Sequence, residues 1–252
     1  MGESSGFLET EDGERLAWRG VAGAAAPTVV WLGGFKSDLT GTKAQAISEW
    51  AQSRGQGFVR FDYSGHGASS GAFERGTITR WRADALDVLA RLTEGPVVLV
   101  GSSMGGWLAC LVALVLPERV TALVLVAPAA DFTEKLMRPA IPPDGRAALE
   151  RDGVWLRPSE YGDPYPITLD LLEDGARWSI LEAQEVPIAA PVRILQGGQD
   201  PDVPWTHALQ LANTLKTEDV VFTLIKDGDH RLSRPQDIAR LLAAIEDVLR
   251  PA

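Results

Sequence analysis

Cysteine and histidine are scarce in this chain: one and three, respectively, in 252 residues. The single cysteine, Cys110, excludes an internal disulfide. It lies in the apolar helical run LACLVALVL, where nothing nearby would stabilise a thiolate, so a buried structural thiol is expected. Positive charge is also in short supply. The 24 Lys and Arg stand against 34 Asp and Glu, a net charge of −10 with no basic cluster. That argues against nucleic acid or an anionic membrane surface as the main partner. Long apolar runs are missing too. The longest, within residues 108–116, is far shorter than the ~20 residues a membrane-spanning helix needs. The N-terminal stretch MGESSGFLETEDGERLAW is acidic and broken by glycine, unlike a secretory signal or an Arg-rich transit peptide, so a cytoplasmic location is expected by default.

What is present is a regular alternation of apolar strands and amphipathic helices. GFLET and ERLAWRG flank the turn signal Glu11-Asp12-Gly13 and predict a hairpin. PTVVWLGGF, GFVRFDYSG, PVVLVGSS, VTALVLVAP, APVRILQGG and VVFTLIKDG have the short continuous apolar character of buried strands. Between them, TKAQAISEWAQSRG places Ala44, Ile47, Trp50 and Ala51 on one helical face, and TITRWRADALDVLARL does the same with Trp81, Ala85, Val88, Leu89 and Leu92. MGGWLACLVALVL, THALQLANTLK and DIARLLAAIEDVL complete the helices. This order predicts an α/β fold: a mostly parallel central sheet with helices on both faces and right-handed crossovers. Residues 131–187 break the rhythm. They are rich in Pro, Gly and aromatics (Trp155, Tyr161, Tyr165, Trp178), with only short helical pieces such as TLDLLEDGARW. A small cap over one end of the sheet is expected there, with residues 1–130 and 188–252 forming the core domain.

The pattern G-x-S-x-G occurs twice, centred on Ser69 and Ser103. A nucleophile elbow needs a strand ending at the motif and a helix starting directly after it, with small residues around a strained serine. Ser103 meets this: VVLV abuts Gly101, and GGWLACLVALVL follows at once. Ser69 trails its strand by several residues and has no immediate helix, so GHGASSG is expected to be a glycine-rich loop. In this topology the acid and base follow the serine in that order. His230, in KDGDHRLS after the last strand, is the candidate base; His66 precedes the serine and His207 sits inside a helix, so both are expected to be structural or surface residues. The candidate acid is Asp200 in QGGQDPDVPW, with Asp202 as the alternative; Asp227 and Asp229 are too close to His230 along the chain. Two backbone N–H groups must face the developing oxyanion. Met104 directly follows the nucleophile, and Phe35 lies in the loop WLGGFKSD, where Gly33 and Gly34 allow close approach. Gly34, Trp107 and Trp178 are candidate substrate-binding residues, with Trp107 equally readable as core.

With these residues placed, the chain resembles an α/β-hydrolase. It is similar in particular to the small mitochondrial α/β-hydrolases that act as protein depalmitoylases and acyl-glucuronide esterases, and to their bacterial relatives. The segments that carry the resemblance are GTKA (41–44), RFDYSGHGASSG (60–71), TITRWRADALDVLARLTEGPVVLVGSSMGGWL (77–108), GVWLRPSEYG (153–162), DPDVPW (200–205) and KDGDHR (226–231). The resemblance implies Ser103, Asp200 and His230 as the catalytic triad, with no metal and no organic cofactor. It implies a carboxylic ester hydrolase acting on a small-molecule acyl ester or thioester, with a palmitoyl-protein thioesterase as the alternative. Two departures are visible. Gly33 stands where many such hydrolases have a histidine, and no targeting segment is read. From another class, a non-catalytic ligand-binding protein on the same scaffold would be expected to lack a triad member. The sequence leaves monomer and homodimer equally open.

Overall fold

The computed structural model describes residues 2–158 and 164–250. The predicted N-terminal hairpin is present as β1 (Glu3–Glu9) and β2 (Arg15–Val21), paired antiparallel. The chain continues through β3 (Ala25–Leu32), α1 (Thr42–Arg54), β4 (Gln56–Phe61), α2 (Ile78–Leu92), β5 (Val97–Ser102), α3 (Met104–Val115) and β6 (Val120–Val126). After residues 127–191 it resumes with β9 (Val192–Gly197), α7 (Trp205–Thr214), β10 (Val220–Ile225) and α8 (Pro235–Leu249). The eight strands form one sheet in the order β1-β2-β4-β3-β5-β6-β9-β10, antiparallel at β1 and β2 and parallel from β4 to β10.

The sheet divides the core in two. On one face α1 and α8 bury Ile47, Trp50, Leu241 and Ile245 against Val29, Val98 and Val124. On the other, α2, α3 and α7 bury Trp81, Val88, Leu108 and Leu211 against Val30, Leu99 and Leu123. Both faces being covered explains why β4 and β5 are buried along their whole length, and why VVLV of β5 is a continuous apolar run rather than an alternating one. Local signals agree with this packing: the Thr77 hydroxyl accepts the Arg80 N–H at 3.1 Å and starts α2.

The segment between β6 and β9 is more regular than its sequence predicts. A π-helical turn (Thr133–Met137) runs into α4 (Arg138–Ala140), followed by α5 (Pro143–Asp152), an antiparallel hairpin of β7 (Val154–Arg157) and β8 (Tyr165–Thr168), and α6 (Leu169–Arg177). The expectation of only short helical pieces therefore falls short by one ten-residue helix and one hairpin. The strands have four residues each, and α5 buries only Gly145 and Leu149, so neither has a periodicity to read. Residues 159–163, which include Tyr161 and part of the 153–162 segment, lie outside the described residues. Buried Asp131 ties the two ends of the segment: its carboxylate accepts the Ile180 and Leu181 N–H groups at 2.9 and 2.8 Å. No helix among the described residues is long and apolar enough to cross a membrane.

Helix α3 meets the sheet with almost no clearance. A Cβ on Gly105 would stand 2.1 Å from the Leu32 carbonyl oxygen, and one on Gly101 2.3 Å from the Gly105 carbonyl oxygen. Both neighbours are backbone, which cannot yield cheaply. Gly105→Ala should therefore cost about 2–3 kcal/mol in urea unfolding, whereas Gly2→Ala, with nothing within 4 Å, should stay within about 0.5 kcal/mol of the parent.

Candidate active site

The site stands at the carboxyl ends of the parallel strands, where open α/β sheets place their ligand crevices. Ser103 is the single residue between β5 and α3, with φ 54° and ψ −119°. A non-glycine residue in this region costs about 1–3 kcal/mol and persists only where its surroundings over-determine it. Here three backbone bonds hold it. The Ser103 N–H donates to Val126 O at 2.9 Å, and its carbonyl accepts from Gly106 N at 2.9 Å and Ala129 N at 3.1 Å. The end of β6 and the turn beyond it thus clamp the elbow, and the side chain is directed away from α3, capping none of its N–H groups.

The loop after β10 brings His230 to Ser103. Its Nε2 lies 3.1 Å from Ser103 Oγ, and its Nδ1 lies 2.8 Å from Asp200 Oδ2. With Nδ1–H donated to the carboxylate, Nε2 is free to accept the serine proton. Asp200 follows β9, and its side chain is fully buried. Burial opposes its charge, but the His230 hydrogen bond and charge, with the Val203 and Asp202 N–H groups, hold its carboxyl below the ordinary value. Gln196 adds an amide N–H at 3.1 Å from Oδ2. Asp202 contributes its backbone to this cradle while its own carboxylate stays exposed. Among the described residues, Asp200, Asp202 and His230 are also the one group whose ligand-type atoms cluster within 4.8 Å. Within this group His230 Nδ1 and Asp200 Oδ2 are already hydrogen-bonded to each other, at 2.8 Å.

The His230 loop is braced from outside. Lys43 Nζ, at the start of α1, donates to the Arg231 carbonyl. Burial pulls the Lys43 ammonium down to about 8, with Asp229 partly restoring it. Sequence reasoning gave Lys43 no role. Its one signal was membership of the GTKA segment.

Opposite the histidine lies the loop after β3. A Cβ on Gly34 would come within 3.3 Å of Ser102 O and 3.4 Å of Ser103 Cβ, so the loop backbone runs directly against the elbow. Phe35 follows. Its N–H has no acceptor among the described residues, while its ring packs on Phe73, Trp81 and Phe132 at centroid distances of 5.0, 5.9 and 5.7 Å. Met104, the first residue of α3, has the free N–H of a helix start. Trp107 is fully buried in the core cluster, edge-on to Phe132 at 5.8 Å, with no partner for its indole N–H among the described residues. Trp178 is half-buried at the seam with α2. Its indole N–H donates to Thr79 at 2.7 Å and its ring faces the Arg82 guanidinium at 4.4 Å, so none of these contacts is to Ser103 or His230.

The second G-x-S-x-G stretch is a structural clasp. Ser69 Oγ donates to Asp62 O at 2.7 Å and accepts from Ala17 N at 2.8 Å. Asp62 in turn accepts from Leu39 N at 2.6 Å and Ala68 N at 2.8 Å. His66 sits between this clasp and the loop after β3. Its Nε2 accepts the Lys36 N–H at 3.1 Å, which leaves Nδ1–H facing Ser64 O at 3.3 Å. Burial pushes His66 down to about 4, so it is neutral at pH 7. His207 is buried, with Nε2 2.7 Å from Ala130 O. Both histidines are structural. A cleft of about 630 Å³ lies beside the clasp, lined by Phe7, Trp18, Arg19, Asp38 and Asp62 rather than by Ser103 or His230.

Comparison with known proteins agrees with the architecture. The alpha/beta hydrolase family profile matches residues 21–241. The human protein named palmitoyl-protein thioesterase ABHD10, mitochondrial, is 37% identical over 248 residues, covering 98% of this chain and 80% of that protein. The structure of the mouse alpha/beta hydrolase domain-containing protein 10 superposes with a TM-score of 0.88 at 36% identity, over 98% of both chains. The crystal structure of a protein from Agrobacterium vitis S4 superposes with a TM-score of 0.94 at 44% identity, over 99% of this chain and all of that one. The curated relatives' names place them in mitochondria, so they lend no support to a cytoplasmic location here.

The depressed His66 value has a consequence for stability. On acidification the unfolded chain protonates this histidine near pH 6.5, before the folded protein does at about 4. Its contribution is therefore complete above pH 6.5 and is lost as pH falls toward 4, amounting to roughly 2–3 kcal/mol between pH 7 and 4.5. Urea unfolding of His66→Gln, which lacks the titration, should fall less steeply over that range by this amount. Parallel curves would rule the explanation out.

Proposed function

The chain belongs to the alpha/beta hydrolase family, and we propose that it is a serine hydrolase that cleaves carboxylic esters or thioesters through an acyl-enzyme. The observation that carries this reading is the continuous line of hydrogen bonds from buried Asp200 through His230 to a strained Ser103. Ser103 Oγ attacks the acyl carbonyl carbon while its proton passes to His230 Nε2. The carbonyl oxygen becomes an alkoxide, received by the Phe35 and Met104 N–H groups. The bond from carbon to the leaving oxygen or sulfur then breaks, and the imidazolium returns its proton to the departing alcohol or thiol. Water repeats the sequence: its proton goes to His230, its oxygen to the acyl carbon, and the free acid leaves with Ser103 restored. Asp200 fixes the imidazole tautomer and stabilises the imidazolium without taking its proton.

In this reading residues 131–187 form a cap, and Gly34 and Trp107 lie along the acyl path. Trp178 closes the seam between cap and α2. The names of the relatives favour a thioester as substrate; the geometry of Ser103 and His230 serves an oxygen ester equally well. Against a non-catalytic binding role speaks the unbroken hydrogen-bonded line from Asp200 through His230 to Ser103. Neither a metal nor an organic cofactor enters this chemistry.

Two measurements test the assignment. Ser103→Ala should lower turnover by about 10⁴-fold or more and abolish labelling by a fluorophosphonate; full activity in this variant would end the proposal. Asp200→Asn should lower kcat by roughly 10³–10⁴-fold, whereas Asp202→Asn should stay within a few-fold of the parent. Initial rates on matched oxygen esters and thioesters, from acetyl to palmitoyl, then decide the substrate. Faster long-chain thioesters would make it an acyl thioesterase like its named relatives. Faster short oxygen esters would make it a small-molecule carboxylesterase.

A further inference from the structure

The residue after the proposed oxyanion donor has an unusual setting. Lys36 is exposed and lies at φ 57°, left-handed backbone that a long side chain rarely adopts. Its N–H is held by His66 Nε2. Its ammonium meets no carboxylate at ion-pair distance among the described residues, in a protein where acids outnumber bases by ten. It lies instead over two aromatic faces, 4.7 Å from the ring centre of Phe73 and 5.5 Å from that of Tyr165. Phe73 belongs to the core side and also packs on the Phe35 ring at 5.0 Å. Tyr165 is the first residue of β8, in the cap hairpin. Residues 35 and 36 thus grip the same Phe73 ring with their two side chains, and the second also reaches the cap.

We propose that Lys36 is a positioning residue that ties the cap to the oxyanion hole: Tyr165 and Phe73 hold its ammonium, and its backbone sets the place of the adjoining Phe35 N–H beside Ser103. The proposal rests on the serine-hydrolase reading above. It gives the strained backbone a purpose, because a side chain at 36 joins the residue next to the donor to the cap hairpin, adding to the contact of Phe35 with Phe132 at the start of the cap segment. It also gives the cap a part in chemistry beyond enclosing the acyl chain. A displaced hairpin releases the ammonium from one ring, and the oxyanion donor loses one of its supports.

The test compares Lys36→Met, Lys36→Arg, Tyr165→Leu and the Lys36→Met/Tyr165→Leu pair on a short-chain thioester. Melting temperatures are recorded to confirm folding, and affinity is measured for a trifluoromethyl ketone that forms the tetrahedral adduct. Loss of one cation–π contact corresponds to a factor of about five. We expect Lys36→Met to lower kcat about fivefold with KM unchanged, and to weaken the ketone by the same factor. Lys36→Arg should restore most of kcat, and the double variant should be no slower than the slower single one. A Lys36→Met kcat within experimental error of the parent, a loss confined to KM, or single effects that multiply would each overturn the tie. Fluorophosphonate labelling of the parent separates the two levels. If Ser103 is labelled and Lys36→Met is silent, the tie alone fails. If Ser103 is neither labelled nor needed, both fail together.

Discussion

The strained backbone of Ser103 is the constraint around which the remainder is arranged. A residue at φ 54° and ψ −119° relaxes unless its neighbours forbid it, and each neighbour here has a chemical reason to be what it is. Gly101 and Gly105 lack side chains because a Cβ on Gly101 would stand 2.3 Å from the Gly105 carbonyl oxygen of α3, and one on Gly105 2.1 Å from the Leu32 carbonyl oxygen of β3. Val126 at the end of β6 and Ala129 in the turn beyond it supply the acceptor and donor that fix the Ser103 peptide groups. The fully buried β5 and the buried first turns of α3 on either side leave the turn no room to spread its strain. A serine held this way keeps its hydroxyl off its own helix and available to His230.

The proposed oxyanion loop is held by a different kind of chemistry. Strain at the elbow is opposed by backbone hydrogen bonds. The β3 loop is fixed by aromatic packing around Phe35 and by one imidazole lone pair on Lys36. That lone pair exists only on a neutral histidine, so burial of His66 is part of how the loop is built. Many hydrolases resembling this chain carry a histidine within the oxyanion loop itself, where this chain has Gly33. Here a histidine supports the loop from the turn after the neighbouring strand β4 instead.

Much of this was legible in the sequence, for reasons that differ by element. The central strands β5 and β6 announced themselves because burial on both faces favours near-unbroken apolar runs, and α2 because Trp81, Ala85, Val88 and Leu89 repeat at helical spacing. Ser103 stood out because an elbow compresses strand, nucleophile and helix into consecutive residues. Asp200 and His230 were reachable because their order after the serine follows from sheet topology. What could not be read was whatever depends on contact between distant segments. Lys43 and Lys36 are ordinary surface lysines in sequence, and their roles appear only when Arg231 and Tyr165 arrive beside them. The β7–β8 hairpin escaped because four-residue strands have no period. Trp178 was grouped with substrate-binding residues as a cap aromatic, yet Thr79 and Arg82 of α2 occupy its polar edge and its face.

The sheet order explains why G-x-S-x-G occurs twice. Strands β4 and β5 both flank β3, so the loops at their carboxyl ends stand on either side of the loop carrying Phe35. Each must make a tight turn against that loop, and both use glycines and small hydroxyl residues to do so. On the β5 side the turn is drawn into a strained elbow that leaves its serine hydroxyl directed at His230. On the β4 side the serine hydroxyl is consumed twice, by Asp62 O and Ala17 N, and His66 and Asp62 reach across to the backbone of residues 36 and 39. One copy therefore presents the proposed nucleophile, and the other holds the loop after β3 beside it. The same short pattern yields opposite hydroxyl fates because a helix begins directly after one copy and a loop after the other.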